Sequence, residues 1–311
     1  MTPFRPITVF GGATMDHAAA TLRPPVPGAS NPGVARTAPG GVGLNVARDL
    51  ARLGERVRLI SRVGADADGD AVIAAIAADG IDPRGVTVSA GAPTATYRAA
   101  FDQTGDLIIG IADMAVFDQI TPETVAPALA AASDAEAFVV DANLPAATLA
   151  TIVAHASDDG RLVAAIAVSP AKAVKLIPLL GRLDLLFATR REALALLGGD
   201  GDPARSTADL AQMLSARGVA RVVVTDSARP LAVAADGAVR LFTPFAAKVR
   251  SVNGAGDALA AGTLHGLAGG HALFEAIACG LAAAAITVEE DGTVAAALTQ
   301  EAIGTRIANA G

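Results

Sequence analysis

The regular alternation of short apolar runs with segments of helical period constrains this chain more than any other feature. Strand-like runs stand at 7–12 (ITVFGG), 56–64 (RVRLISRVG), 135–143 (AEAFVVDAN), 161–169 (RLVAAIAVS), 183–189 (LDLLFAT) and 220–226 (ARVVVTD). Between them lie periodic stretches such as GLNVARDLARLG, DGDAVIAAIAADG and REALALLGG. Apolar runs of this length read as buried strands, and the helical segments supply the crossovers that parallel strands need. The expected fold is α/β, with helices on both faces of a mostly parallel central sheet, a three-layer α/β/α arrangement. In such sheets ligands bind outside the carboxyl ends of the strands.

Two regions break the pattern. Residues 17–39 carry five of the 17 prolines and little helical period, and 94–112 (TATYRAAFDQTGDLIIGIA) alternates like a hairpin turning at Thr104-Gly105. Together they predict a small β lid inserted into the main body. With 311 residues, 52% of them hydrophobic, the chain suffices for one large domain, 1–311, carrying that insert.

A net charge of -7 and a pI near 5.1 argue against nucleic acid as a partner. The first 17 residues lack the basic start and long apolar core of a signal peptide, and the alanine-rich run AIACGLAAAAITV falls short of a membrane span. A soluble, cytoplasmic protein with no membrane partner is expected. The lone Cys279 reads as a buried core thiol, consistent with a reducing compartment. His17, His155, His265 and His271 show no metal-ligand spacing, and no GxxxxGK[ST] loop or dinucleotide-type GxGxxG is present. A Walker-type ATPase and a dehydrogenase are thereby disfavoured.

Chemistry concentrates in two glycine-rich segments. In RSVNGAGDALAAGT (250–263), helix character begins near Asp257, so the amides of Ala255, Gly256 and Asp257 are expected to be unpaired donors that attract an anion. Gly254 and Gly256 permit the close backbone approach a phosphate needs. A carboxylate there repels a resting phosphate, and its presence is explained if it accepts a proton from an attacking hydroxyl during phosphoryl transfer. The plain alternative is a helix-capping acid after a glycine turn. In TAPGGVGLNVARDLARLG (37–54), Gly40 and Gly41 can present backbone amides to a ligand. Asn45, in the first helical turn, can both donate and accept, as vicinal sugar hydroxyls require. Asp16, after the first strand, is an acceptor suited to two hydroxyls, or simply a turn residue.

The pair GGVGLNVARDLARLG and NGAGDALAAGTL, in that order and some 200 residues apart, resembles the two signatures of the PfkB, or ribokinase-like, carbohydrate kinase family. The resemblance covers essentially the whole chain. It is strongest to the branch acting on pseudouridine, through SNPGVARTAPGGVGLN (30–45), the hairpin 94–114 and VSPAKAVKL (168–176). It implies a ribokinase-like fold and an ATP-dependent kinase that phosphorylates the 5'-hydroxyl of that nucleoside. It makes Asp257 the catalytic base and Gly254, Ala255 and Gly256 the anion hole for the transferred group. Asp16, Gly40, Gly41 and Asn45 fall on the ribose side, with Ser30, Asn31 and Thr96 closing the lid over the nucleoside. Thr189, Thr225, Asn253 and Lys172 fall on the nucleotide side, and Glu192 organises the metal through water. The implied cofactors are ATP and Mg2+, with K+ beside the second signature in many members. The implied partner is a small nucleoside or sugar, and the family habit of pairing lids implies a homodimer.

Three departures lie on the ATP side. The family's Asn-x-x-Glu element reads Thr189-Arg-Arg-Glu192 here, altering metal organisation. The glycine-rich turn after the strand ending at Thr225 is replaced by Asp226, Ser227, Ala228, Arg229 and Pro230. The acid expected ahead of the turn before VSPAKAVKL is missing; Lys172 and Lys175 in that stretch read first as solvated helix lysines, with phosphate contact as the alternative. Other outcomes left open are a kinase for a different nucleoside or sugar, and a nucleoside-binding homologue with weak phosphotransfer.

Overall fold

The computed structural model describes residues 6–198 and 204–309. Thirteen strands appear among them: β1 (Ile7–Phe10), β2 (Thr14–Thr21), β3 (Gly33–Gly40), β4 (Val57–Gly64), β5 (Val86–Ser89), β6 (Thr96–Phe101), β7 (Leu107–Asp113), β8 (Ala137–Asp141), β9 (Leu162–Ile166), β10 (Leu185–Thr189), β11 (Arg221–Asp226), β12 (Arg229–Ala235) and β13 (Ala238–Phe242). The α-helices are α1 (Val42–Arg52), α2 (Ala67–Ala78), α3 (Pro122–Ala131), α4 (Ala146–Asp158), α5 (Pro170–Ala173), α6 (Arg190–Leu196), α7 (Thr207–Ala216), α8 (Ala255–Ala268), α9 (Leu273–Val288) and α10 (Gln300–Ala308).

Nine strands form the main sheet, in the order β13-β12-β11-β10-β9-β8-β1-β4-β5. It is parallel from β5 to β11 and ends in the antiparallel pairs β11-β12 and β12-β13. Strand alternation divides its side chains between two cores. Val9, Leu59, Val139, Phe187 and Val223 pack with α1, α2, α8 and α9. Phe10, Phe138, Val140, Leu186 and Val222 pack with α3, α4, α6 and α7 on the other face. Burial on both faces explains the nearly unbroken apolar runs in the sequence. No helix among the described residues is long and apolar enough to cross a membrane.

The six expected strand runs correspond to β1, β4, β8, β9, β10 and β11. Three further strands of the main sheet, β5, β12 and β13, lie outside those runs. The β12-β13 hairpin turns at Asp236-Gly237, both with positive φ (52° and 76°), as a tight two-residue turn requires. The other sheet, β3-β2-β6-β7, is built from the two irregular regions. Its β6-β7 hairpin turns over residues 102–106, where the Asp102 carboxylate accepts from the Thr104 and Asp106 amides. Cys279 departs from expectation: it is partly rather than fully buried, and burial pushes its thiol pKa up.

β1 is the point at which strand order reverses, since the chain moves outward from it to β4 and β5, then returns to β8 on its other side. Such a reversal opens a crevice beyond the strand ends. Gly11 and Gly12 leave β1 at that crevice, and the Gly12 amide donates to Asp141 Oδ2 at the end of β8 (2.8 Å).

Candidate active site

The site is assembled by two helix starts that meet at this crevice. α8 begins after Gly254, whose φ of +79° is left-handed. A β-carbon at Gly254 would overlap the Thr293 carbonyl, so the position is closed to other residues on two counts. The first backbone bond closing an α-turn runs from Ala258 to Gly254 (2.9 Å), while the Ala255 amide makes only a 3.5 Å contact to Val252. The donors at the start of α8 therefore remain available to an anion. α1 begins after Gly41, whose φ is +97°.

Asn45, buried in the first turn of α1, joins the two helices. Its Nδ2 donates to Asp257 Oδ2 (2.8 Å) from 212 residues away, and its Oδ1 accepts from the Thr293 hydroxyl (3.1 Å). The amide is thereby fixed in orientation and holds the carboxylate of the partly buried Asp257. Desolvation pushes the pKa of Asp257 up to about 7; the Asn45 hydrogen bond opposes this, and the charges of Asp141, Asp16 and Glu192 add to it. Four carboxylates therefore converge electrostatically on one crevice, and one of them titrates where a general base operates.

Asp16 lies on β2, with Oδ1 accepting from the Thr14 hydroxyl (2.8 Å). Burial raises its pKa, while that hydrogen bond and His17 lower it. Gly40 makes room for this carboxylate, since a β-carbon there would overlap Oδ2. Asp16, Gly40 and Gly41 thus fall together, while the amide of Asn45, expected to meet sugar hydroxyls, is turned to Asp257 and Thr293. Three other expectations meet different surroundings. Asn31 is engaged in its own loop, accepting from the Val26 amide (2.8 Å) and donating to the carbonyls of Val26 (3.1 Å) and Ala29 (3.0 Å). Ser30 is exposed on that loop. Thr96 lies on the face of the small sheet opposite to Asp16, lining a hollow with Asp66, Asp68, Pro93, Thr94 and Arg98.

Thr189 and Thr225, the nucleotide-side positions, are cross-strand partners at the ends of β10 and β11. Thr189 caps α6: its amide donates to Glu192 Oε2 (2.7 Å), and its hydroxyl accepts from the Glu192 amide (3.4 Å). Glu192 is therefore held by one carboxylate oxygen, with no partner for the other among the described residues. Where the family has glycines, Ser227 itself adopts φ +55°, and Arg229 pairs with Asp226 (3.1 Å). The turn keeps a left-handed residue, at a cost of about 1 kcal/mol for a residue with a β-carbon. Asn253 is exposed just before α8, its amide donating to Ser251 Oγ (3.2 Å).

Lys172 and Lys175 are not solvated helix lysines. Val168, with φ +68°, turns the chain after β9, and both ammonium groups reach the end of β8. Lys172 Nζ donates to Asn143 Oδ1 (2.6 Å), and Lys175 Nζ donates to the Leu144 carbonyl (2.7 Å). Partial burial lowers both pKa values. Asp141, almost fully buried, accepts from the amides of Gly12 and Asn143 (2.8 Å each), and burial raises its pKa despite those bonds and Lys172. Asp141, Asn143 and Thr293 were missed by sequence reasoning. The strand-end DAN at 141–143 offered a signal for the first two, whereas Thr293 lies in an irregular segment with none.

No group of three or more His, Cys, Asp or Glu side chains that could cage a metal occurs among the described residues. The four histidines each face a carboxylate instead: Asp68, Asp159, Glu55 and Glu275. A cavity of about 920 Å3 lined by Arg56, Arg58, Arg62 and Arg84 touches none of the four converging carboxylates.

A main sheet reversing at β1, a small sheet beside the crevice and a carboxylate at a glycine-entered helix start define a ribokinase-like phosphotransferase architecture. The pfkB family carbohydrate kinase model matches residues 5–300, and the chain belongs to that family, whose members transfer phosphoryl groups from ATP to sugar or nucleoside hydroxyls. Escherichia coli pseudouridine kinase is 30% identical over 257 residues, covering 82% of each chain. A carbohydrate kinase from Agrobacterium tumefaciens superposes with a TM-score of 0.85 at 34% identity, covering 98% of this chain and 97% of that one. Arabidopsis thaliana ribokinase, solved with ribose and ATP, shares the fold with a TM-score of 0.84 at 20% identity, covering 98% and 99%.

Proposed function

We propose that this chain phosphorylates the 5'-hydroxyl of pseudouridine from Mg-ATP, with Asp257 as general base. The observation that carries the reading is the Asn45–Asp257 hydrogen bond at the start of α8. It brings both glycine-rich segments into one site and aims a carboxylate of near-neutral pKa beside unpaired amides. The relative that favours this substrate is the pseudouridine kinase matched over most of both chains.

In the proposed reaction Asp257 takes the proton of the attacking hydroxyl as that oxygen bonds to the γ-phosphorus and the bond to the ADP oxygen breaks. Mg-ATP supplies the phosphoryl group, with the metal neutralising its charge. The amides of Ala255, Gly256 and Asp257 stabilise negative charge at the transferring group. Asp16 and the Gly40-Gly41 backbone hold the ribose hydroxyls, and the small sheet acts as a lid carrying Ser30. In this reading Thr189, Thr225 and Asn253 border the nucleotide, and Lys172 leaves Asn143 to meet phosphate.

The residues present suit Mg2+ held chiefly by phosphates and water, as this ion prefers, since among the described residues one Glu192 oxygen has no partner and no cage exists. A cytoplasmic homodimer joined through the lid completes the proposal.

ADP release tests it, with Mg-ATP, with and without K+, and with pseudouridine, uridine, ribose and fructose as acceptors. Turnover with pseudouridine well above the others is expected. Preference for another acceptor replaces the substrate, and pseudouridine binding without turnover with any acceptor replaces the chemistry.

A further inference from the structure

Strand alternation decides which side chains share a face with Asp16 on the small sheet. Asp16 lies beside Ala38 of β3 and Tyr97 of β6, and Tyr97 lies opposite Ala112 of β7. One step along, Arg36, Ala18, Ala99 and Gly110 occupy the same face. Two close approaches fix this parity independently: a β-carbon on Gly40 would overlap Asp16 Oδ2, and one on Gly110 would overlap the Tyr97 hydroxyl. Thr96 and Arg98 point to the other face, where His17 hydrogen-bonds Asp68 of α2 (3.1 Å).

Next to Asp16 this face carries Ala38, Ala18, Ala99, Ala112 and Gly110, with Tyr97 as the aromatic side chain beside the carboxylate and the exposed Arg36 of β3 one step further along. Tyr97 is partly buried, and its hydroxyl has no hydrogen-bond partner among the described residues, although a phenol beside a binding face usually finds one. Directly paired positions on neighbouring strands lie about 5 Å apart, roughly the step from a ribose ring to its base. Small residues leave space for a flat group, and an aromatic ring offers a surface on which to seat it.

We infer that Tyr97 is the specificity-determining contact for the planar base of the acceptor, with Gly110 keeping open the space its hydroxyl occupies. The inference rests on the nucleoside reading above and names the group that separates a nucleoside from a free sugar. The ring stacks on the base, and the hydroxyl is free to hydrogen-bond its polar edge.

The chain has one tyrosine and no tryptophan, so its tyrosine emission reports Tyr97 alone. Titration of the full chain with pseudouridine or uridine is expected to quench that emission, and ribose to leave it unchanged; the Tyr97→Phe protein mixed with free tyrosine corrects for absorbance by the base. In ADP release, Tyr97→Ala is expected to raise KM for pseudouridine about tenfold with kcat within about threefold, and Tyr97→Phe to recover most of the loss. Gly110→Val, a substitution that strands favour, is expected to raise KM similarly by displacing the phenol while circular dichroism stays that of the wild type. Nucleoside turnover with KM unchanged in Tyr97→Ala, or nucleoside binding that leaves the emission unaltered, overturns the role of Tyr97 and spares the nucleoside reading. Turnover of a free sugar with no nucleoside bound or phosphorylated overturns both.

Discussion

Asp257 shows how one residue links site chemistry to stability. Its carboxyl titrates near 7 in the folded chain against an ordinary value of 3.8. Between those values the unfolded chain has released this proton and the folded chain retains it. The unfolded state then binds fewer protons, so stability falls as pH rises through that window and levels off above it. Asp257→Asn removes the charge while leaving an oxygen for Asn45 Nδ2. The variant is expected to melt higher than wild type at pH 8 and equally at pH 4, with kcat reduced about 10²–10⁴-fold. Equal melting at both pH values would show that the carboxyl titrates ordinarily in the folded chain, and retained kcat would remove it from the general-base role. Its partner Asn45 was marked in the sequence as an amide in the first turn after a glycine pair, though read there for sugar hydroxyls rather than for Asp257. Thr293, which orients that amide, was not, because nothing local marks it.

At the scale of elements, helix starts border the candidate site, and their caps distinguish them. α8 and α1 begin at glycines without a side-chain cap; in α1 the Leu44 amide donates to the Gly12 carbonyl (3.0 Å), while in α8 the Gly256 and Asp257 amides remain available. α6 begins with the reciprocal Thr189–Glu192 cap, which uses part of the acid the family resemblance gives to the metal. Thr189→Ala is expected to lower stability by about 1 kcal/mol in urea unfolding, whereas Thr189→Asn, restoring the family's residue, is expected to stay close to wild type because asparagine caps as well as threonine. A loss with Thr189→Asn as large as with alanine would contradict the capping account. The departure from the family at this position thus preserves the helix start even though the residue differs. Ser227 likewise takes up the left-handed turn where glycine was expected.

At the scale of the whole molecule, the small sheet has two strands, β3 and β7, exposed along most or all of their length. On β7, Ile109 and Ile111 are 55% and 56% exposed, on the face turned away from Asp16. Two neighbouring isoleucines on an open sheet face are an unstable surface in water. On the proposed homodimer they are covered. Sedimentation equilibrium is expected to give a dimer for wild type and a monomer for Ile109→Lys/Ile111→Lys; a wild-type monomer would leave the lid unpaired.

By itself the sequence determined the layered fold and the two helix starts, because buried parallel strands and glycine-entered helices leave local patterns of apolar runs and small residues. It also marked residues 17–39 and 94–112 as separate from the main sheet. Tertiary structure alone decided which side chains face one another. Thr96 and Tyr97 are adjacent in sequence, yet a strand sends them to opposite faces, and only the β2-β6 register shows that Tyr97 joins Asp16. Lys172 and Lys175 were ambiguous for the same reason: the turn at Val168 carries them back to the end of β8, a contact about 30 residues away along the chain. Local spacing encodes what a segment becomes; the packing of distant segments decides what each side chain meets.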